Sequence, residues 1–255
     1  MRFPASSGGG GTGIGHSPGH WGDFTFMIVS HSHRFIFIKT KKVAGTSVEL
    51  FLSQFCGEDD ILTTLGPDEK LREGLGARNY WVFGHRRRNR LARIWWTLLG
   101  RMANAYGGFY PHMPAHEIKR LLGSEIWNSY FKFTIERNPW DRQVSLYHWR
   151  YHDQEKKPSF DTFIRSPFHR KISKNFDTYT IGGEVVADYV CRYETLEEDL
   201  ANALKRVGID RPIALPRAKS THRGSGAWRD YYTPRTRDIV GRWYRREIEA
   251  LGYSF

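Results

Sequence analysis

Cysteine is almost missing from this chain: 255 residues contain two, Cys56 and Cys191, both in apolar surroundings. Two such thiols supply neither a disulfide framework nor metal-site spacing, so a reducing compartment is the default expectation. Long apolar runs are missing as well. No stretch approaches the ~18 apolar residues of a membrane span, and none has the form of a signal-peptide core. The expected location is therefore cytoplasmic, with no transmembrane segment and with peripheral membrane attachment left open. Negative charge is scarce: 27 Asp and Glu stand against 39 Lys and Arg, a net charge of +12. A field of that sign favours nucleotides, nucleic acid, acidic glycans or anionic membrane without choosing among them. No carboxylate cluster suited to a metal is visible, and no metal is expected.

What is present fits one sizeable α/β domain, with aromatics at 15% including nine tryptophans as core material. Residues 1–26 are rich in Gly, Ser and His and read as a flexible tail, with Met27 an alternative start; 27–255 form the domain. Within the tail, Gly11-Thr-Gly-Ile-Gly15 touches a dinucleotide fingerprint, but no strand precedes it and no amphipathic helix follows.

The most informative stretch runs from Phe35 to Glu49. Phe35-Ile-Phe-Ile38 is a short β-branched and aromatic run typical of a buried strand. Lys39, Lys41 and Lys42 follow, then Ala44 and Gly45, then Thr46 and Ser47. Val48, Phe51, Leu52 and Phe55 recur at helical spacing, and Cys56-Gly57 ends the pattern. Strand, small-residue basic turn, and helix with hydroxyls in its first turn together aim backbone N–H groups and a positive helix end at one point. That is an anion site, most simply for phosphate. The order is K-x-x-G-T-S, with Lys42 before Gly45, whereas a Walker loop puts its lysine after the second glycine.

A second motif lies downstream. Phe131-Lys-Phe-Thr-Ile135 alternates like a buried strand, and Glu136-Arg-Asn-Pro-Trp-Asp-Arg-Gln-Val-Ser-Leu-Tyr147 follows directly. Asn138 is placed to cap, and Pro139 to open, a helix whose Trp140, Val144, Tyr147 and Tyr151 share a face. Arg137 then stands at the strand end and Ser145 two turns into the helix.

Together the two motifs resemble the sulfotransferases that use 3′-phosphoadenosine-5′-phosphosulfate (PAPS), in particular the type 2 carbohydrate-sulfotransferase group and its bacterial relatives. The similarity spans Met27 to Phe255 and includes Arg192-Tyr-Glu-Thr-Leu-Glu-Glu-Asp-Leu200. One departure is Lys41, where relatives often carry proline. The resemblance implies a three-layer, P-loop-like α/β domain with a mainly parallel central sheet. It assigns the 5′-phosphosulfate to Lys42, Ala44, Gly45, Thr46 and Ser47, and the 3′-phosphate to Arg137 and Ser145. The two strands must then be neighbours. A late basic loop usually covers the nucleotide in this family, which makes Arg217, Lys219 and Arg223 candidates. The implied product is 3′,5′-adenosine bisphosphate. The implied acceptor is a hydroxyl on a carbohydrate or another molecule, anionic or not, and nucleic acid is not an expected partner.

In sulfuryl transfer, positioning and charge stabilisation dominate, and Lys42 is placed to offset charge on the leaving phosphate. His112, in a Gly- and Pro-rich loop ahead of the second motif, matches the loop histidine that acts as base in similar glycan sulfotransferases; His85 and His116 are its rivals. The arginine-rich segment 85–101 reads either as a solvated basic helix or as a lip for a polyanionic acceptor.

Other elements are scaffold. They are a strand at 188–193, a Thr195/Glu198 capping box, a short helix from Ala115 closed by Gly123, a strand at 80–83, and one last helix opened by Pro234. Two other functions stay open: a P-loop nucleotide kinase, and a non-catalytic basic module that binds polyanions.

Overall fold

The computed structural model describes residues 27–72, 74, 76–80, 108–110, 112–166, 174–216 and 227–255. The tail 1–26, the basic segment 85–101, most of the strand expected at 80–83, and Arg217, Lys219 and Arg223 lie outside the described residues.

In chain order the strands are β1 (Ile28–Ser30), β2 (Phe35–Ile38), β3 (Ile61–Leu62), β4 (Phe131–Glu136), β5 (Thr180–Ile181), β6 (Glu184–Val185) and β7 (Tyr189–Arg192). Five of them build a sheet in the order β3-β1-β2-β4-β7, while β5 and β6 pair separately. β2, β4 and β7 are parallel, with Phe35 opposite Phe131 and Phe133 opposite Tyr189. β1 runs antiparallel to both β2 and β3. The sheet is thus mixed: parallel where the two motifs leave it, antiparallel at the other edge. The reason is local. Only residues 31–34 join β1 to β2, too few for the crossover that a parallel pair needs. Asp60 holds that turn, accepting from Ser30 Oγ at 3.0 Å and from the His31 amide at 2.5 Å.

Among the described residues the α-helices are α1 (Gly45–Ser53), α2 (Ala115–Ser129), α3 (Pro139–Arg150), α4 (Phe160–Arg165), α5 (Leu196–Lys205), α6 (Pro234–Trp243) and α7 (Arg245–Leu251). Alternation along the strands divides the core. Phe35, Phe37, Phe133 and Ile135 pack with Val48 and Leu52 of α1 and with Leu200 and Leu204 of α5. Ile36 and Ile38 face the other way, toward Ala115, Ile118 and Trp127 of α2. Both faces of the sheet are therefore covered, giving three layers. A third cluster joins Trp140 and Val144 of α3 to Phe163 of α4 and to Val240 and Tyr244 at the end of α6.

Several boundaries differ from expectation. Helix α1 stops at Ser53, with Gln54 as its C-cap, short of the expected end at Cys56-Gly57. Gly123 takes a non-helical conformation (φ 79°), but the helix resumes beyond it to Ser129, because Trp127 returns to the core. The last helix is two, broken at Tyr244 (φ −115°). Thr195 precedes α5 without capping it; its hydroxyl donates to Asp199, one position beyond the expected Glu198. Among the described residues no helix is long and apolar enough to cross a membrane.

Candidate functional site

Because β2 and β4 are adjacent and parallel, the turns leaving their C-terminal ends open on one edge of the sheet. Two threonines stitch those ends together. Thr134 Oγ1 donates to Ile38 O at 2.6 Å, and Thr40 Oγ1 donates to Ile135 O.

The turn after β2 is tight. Lys42 (φ 62°) and Ala44 (φ 59°) both occupy the left-handed region, which costs an L-residue about 1–2 kcal/mol. Ala44 is the N-cap of α1 and is exposed; it offers no side-chain acceptor, and the first turn holds no acidic residue. Thr46 and Ser47 are half-buried in that turn. The positive end of α1 therefore carries no side-chain cap of its own.

The three lysines of this turn separate. Lys39 points inward, 5% exposed, with Nζ 2.9 Å from Glu49 Oε2. Burial pushes the Glu49 carboxyl upward, and Lys39 pulls it back. The Lys39 stem also explains Gly45: a Cβ there would overlap Lys39 Cε. Lys41 is held by its backbone. Lys42 lays its ammonium over the Trp149 ring of α3, 4.9 Å from the centroid.

The second motif arrives against the first. Asn138 caps α3 by accepting from the Trp140 amide at 3.1 Å, and Pro139 begins the helix. Arg137 is buried, and three contacts fix it. Its Nε donates to Asp141 Oδ2 at 2.7 Å and its Nη1 to Lys42 O at 3.3 Å, while Tyr193 lies 4.0 Å from the guanidinium carbon. Ser145 is half-buried on α3, one turn before Trp149, so it shares a flank with the residue that carries Lys42.

His112 completes the group, again in the left-handed region (φ 50°). Its Nδ1 lies 2.9 Å from Lys39 O. A carbonyl only accepts, so Nδ1 carries the proton and Nε2 keeps its lone pair. Burial, then the charges of Lys39 and Lys41, hold this imidazole well below its ordinary pKa, against a smaller upward pull from the carbonyl. His116 is exposed on α2, and His85 lies outside the described residues.

Several residues here were missed by sequence reading. Asn175 is buried and grips Lys41 from both sides: Oδ1 accepts from Lys41 N and Nδ2 donates to Lys41 O, each at 2.9 Å. Glu136, fully buried, pairs with Arg142, which also pairs with Glu247. Nothing in the chain flags Asn175, which is 134 residues from its partner. Glu49 did carry a signal, being a lone charge inside the apolar run Val48–Leu52 that demands a buried partner.

Residues 26–254 match the model of the sulfotransferase family, and the chain belongs to that family. The chain is 35% identical over 105 residues to an uncharacterised protein of Archaeoglobus fulgidus, covering 40% of this chain and 87% of that one. It is also 28% identical over 138 residues to carbohydrate sulfotransferase 10 of Gallus gallus, covering 39% of this chain and 37% of the chicken protein. The chain thus spans well under half of the chicken relative's length. No solved structure matches.

Proposed function

We propose that the protein transfers a sulfuryl group from PAPS to an acceptor hydroxyl on a carbohydrate. The observation that carries this reading is the contact of Arg137 Nη1 with Lys42 O at 3.3 Å, between motifs 95 residues apart. Two anion-seeking turns then serve one ligand with two separated phosphate groups. The residues suit such a ligand: an uncapped helix end with no first-turn acid, a lysine beside it, and a buried arginine held in one orientation.

In this reading the β2–turn–α1 unit is a P-loop-like cradle. Lys42 and the main chain of Ala44, Gly45, Thr46 and Ser47 hold the 5′-phosphosulfate, and Arg137 and Ser145 hold the 3′-phosphate. Arg217 and Lys219 remain candidates for the covering loop. When bound, PAPS supplies an activated sulfuryl group with a phosphate as leaving group. The Lys42 ammonium offsets negative charge that grows on that phosphate. His112 Nε2 takes the proton from the acceptor hydroxyl, its ring held by the Lys39 carbonyl. A carbohydrate acceptor is supported by the name of the chicken relative.

The test is calorimetric titration with 3′,5′-adenosine bisphosphate without Mg²⁺, followed by transfer from labelled PAPS to glycan, phenol, peptide and lipid acceptors. Micromolar binding and labelled glycan are expected. Failure to bind the bisphosphate, or Mg²⁺-dependent binding of ATP in its place, would return the kinase or polyanion-module reading.

A further inference from the structure

The two motifs are joined by more than their shared sheet. Asn175 holds the Lys41 peptide on both sides, and its Nδ2 also lies 3.1 Å from Glu136 Oε1. That same oxygen accepts from the Arg137 backbone amide at 2.9 Å. A continuous path therefore runs from the residue before Lys42, through one amide and one carboxylate, to the peptide of Arg137. Both members are shut away from water, Asn175 at 1% exposure and Glu136 at 0%. Glu136 is itself pinned: Arg142 pairs with it, and the Tyr179 hydroxyl donates to Oε2 at 3.3 Å.

We infer that Asn175 and Glu136 form a brace that sets the distance between the two phosphate-binding motifs. Asn175 thereby acts as a positioning residue that selects nucleotides phosphorylated at both ends. This rests on the function proposed above. Neither side chain needs to touch the nucleotide. A ligand with two phosphate groups binds far better than either monophosphate only if both subsites stand at the right separation, because the second contact is then made without a further loss of freedom. A ligand with one phosphate is indifferent to that separation.

The test compares 3′,5′-adenosine bisphosphate with 3′-AMP and 5′-AMP by calorimetry, in the wild type and in Asn175→Ala. The wild type should bind the bisphosphate well above either monophosphate; if it does not, the proposed function itself fails. In Asn175→Ala the bisphosphate should weaken by about tenfold or more, the scale of one lost buried hydrogen bond or two, while each monophosphate changes by less than about threefold. Equal weakening of all three ligands, or an unchanged ratio, would overturn the brace and leave the proposed function standing. Should Asn175→Ala fail to fold, Asn175→Ser serves in its place. It adds no charge beside the buried Glu136, and one hydroxyl cannot replace the bonds to both Lys41 backbone groups and to Glu136, so the ratio should again fall, and an unchanged ratio overturns the brace.

Discussion

Gly45→Ala tests whether the tightest contact at the site is what the geometry says it is. A methyl at this position overlaps Lys39 Cε and meets Cδ at 3.1 Å, inside ordinary carbon–carbon contact. Lys39 can yield only by moving its stem, and its Nζ is bound to the fully buried Glu49 at 2.9 Å. Two effects oppose each other. Alanine favours a helix over glycine by up to ~1 kcal/mol. Breaking a buried ion pair costs about 3–5 kcal/mol, because a charge is left inside without its partner. The broken ion pair outweighs the helix preference, and the net loss should be about 2–4 kcal/mol. For a chain of this size that lowers Tm by roughly 5–15 °C. Thermal melts followed by circular dichroism measure it directly. The decisive control is the same change in a Lys39→Ala background, where Gly45→Ala should be neutral or slightly stabilising. An unchanged or raised Tm in the single variant, or an undiminished loss in the double, would refute the argument.

Three further outcomes are expected. His112→Ala should lower kcat by ~10²-fold or more while nucleotide affinity stays near wild type, measured by initial rates and calorimetry; near-normal kcat would pass the base to His85 or His116. The pH profile should differ from that of an ordinary histidine. His112 is held well below 6.5, so it stays neutral and able to accept a proton down to its lowered pKa; kcat/KM should be flat between about 8 and 6.5 and fall only at lower pH, and an inflection near 6.5 would contradict this. Arg137→Ala should weaken PAPS binding by about tenfold or more yet barely alter binding of an analogue that lacks the 3′-phosphate, and equal losses for both would remove Arg137 from that role.

Much of this arrangement could be read from the chain because it is local. Phe35–Ile38 and Phe131–Glu136 announce buried strands by composition, and Asn138-Pro139 marks a helix start whose side-chain cap is formed. Their adjacency followed from asking two motifs to hold one ligand, and the parallel register agrees with it. The antiparallel edge was less legible, since β1 has three residues and β3 has two, too short for alternation to speak. Lys39 shows a different limit. It belongs to the same basic turn as Lys41 and Lys42, but the turn after β2 directs it inward to Glu49, and residue type alone does not reveal which way a lysine points. Asn175 was invisible for a plainer reason: an isolated asparagine has the same sequence signature whether it braces two motifs or faces water.

Three left-handed residues, Lys42, Ala44 and His112, stand among five non-glycine residues with positive φ in the described chain. For a protein engineer this is a trap. A campaign for thermostability scored by melting alone will be drawn to Ala44→Gly, since glycine adopts that backbone at no steric cost. The selected clones would melt later while the helix end they carry is free to wander. Asn175 and Arg137 hold the turn, and the alanine methyl narrows the conformations left to it, so heat tolerance gained at Ala44 trades directly against a defined site.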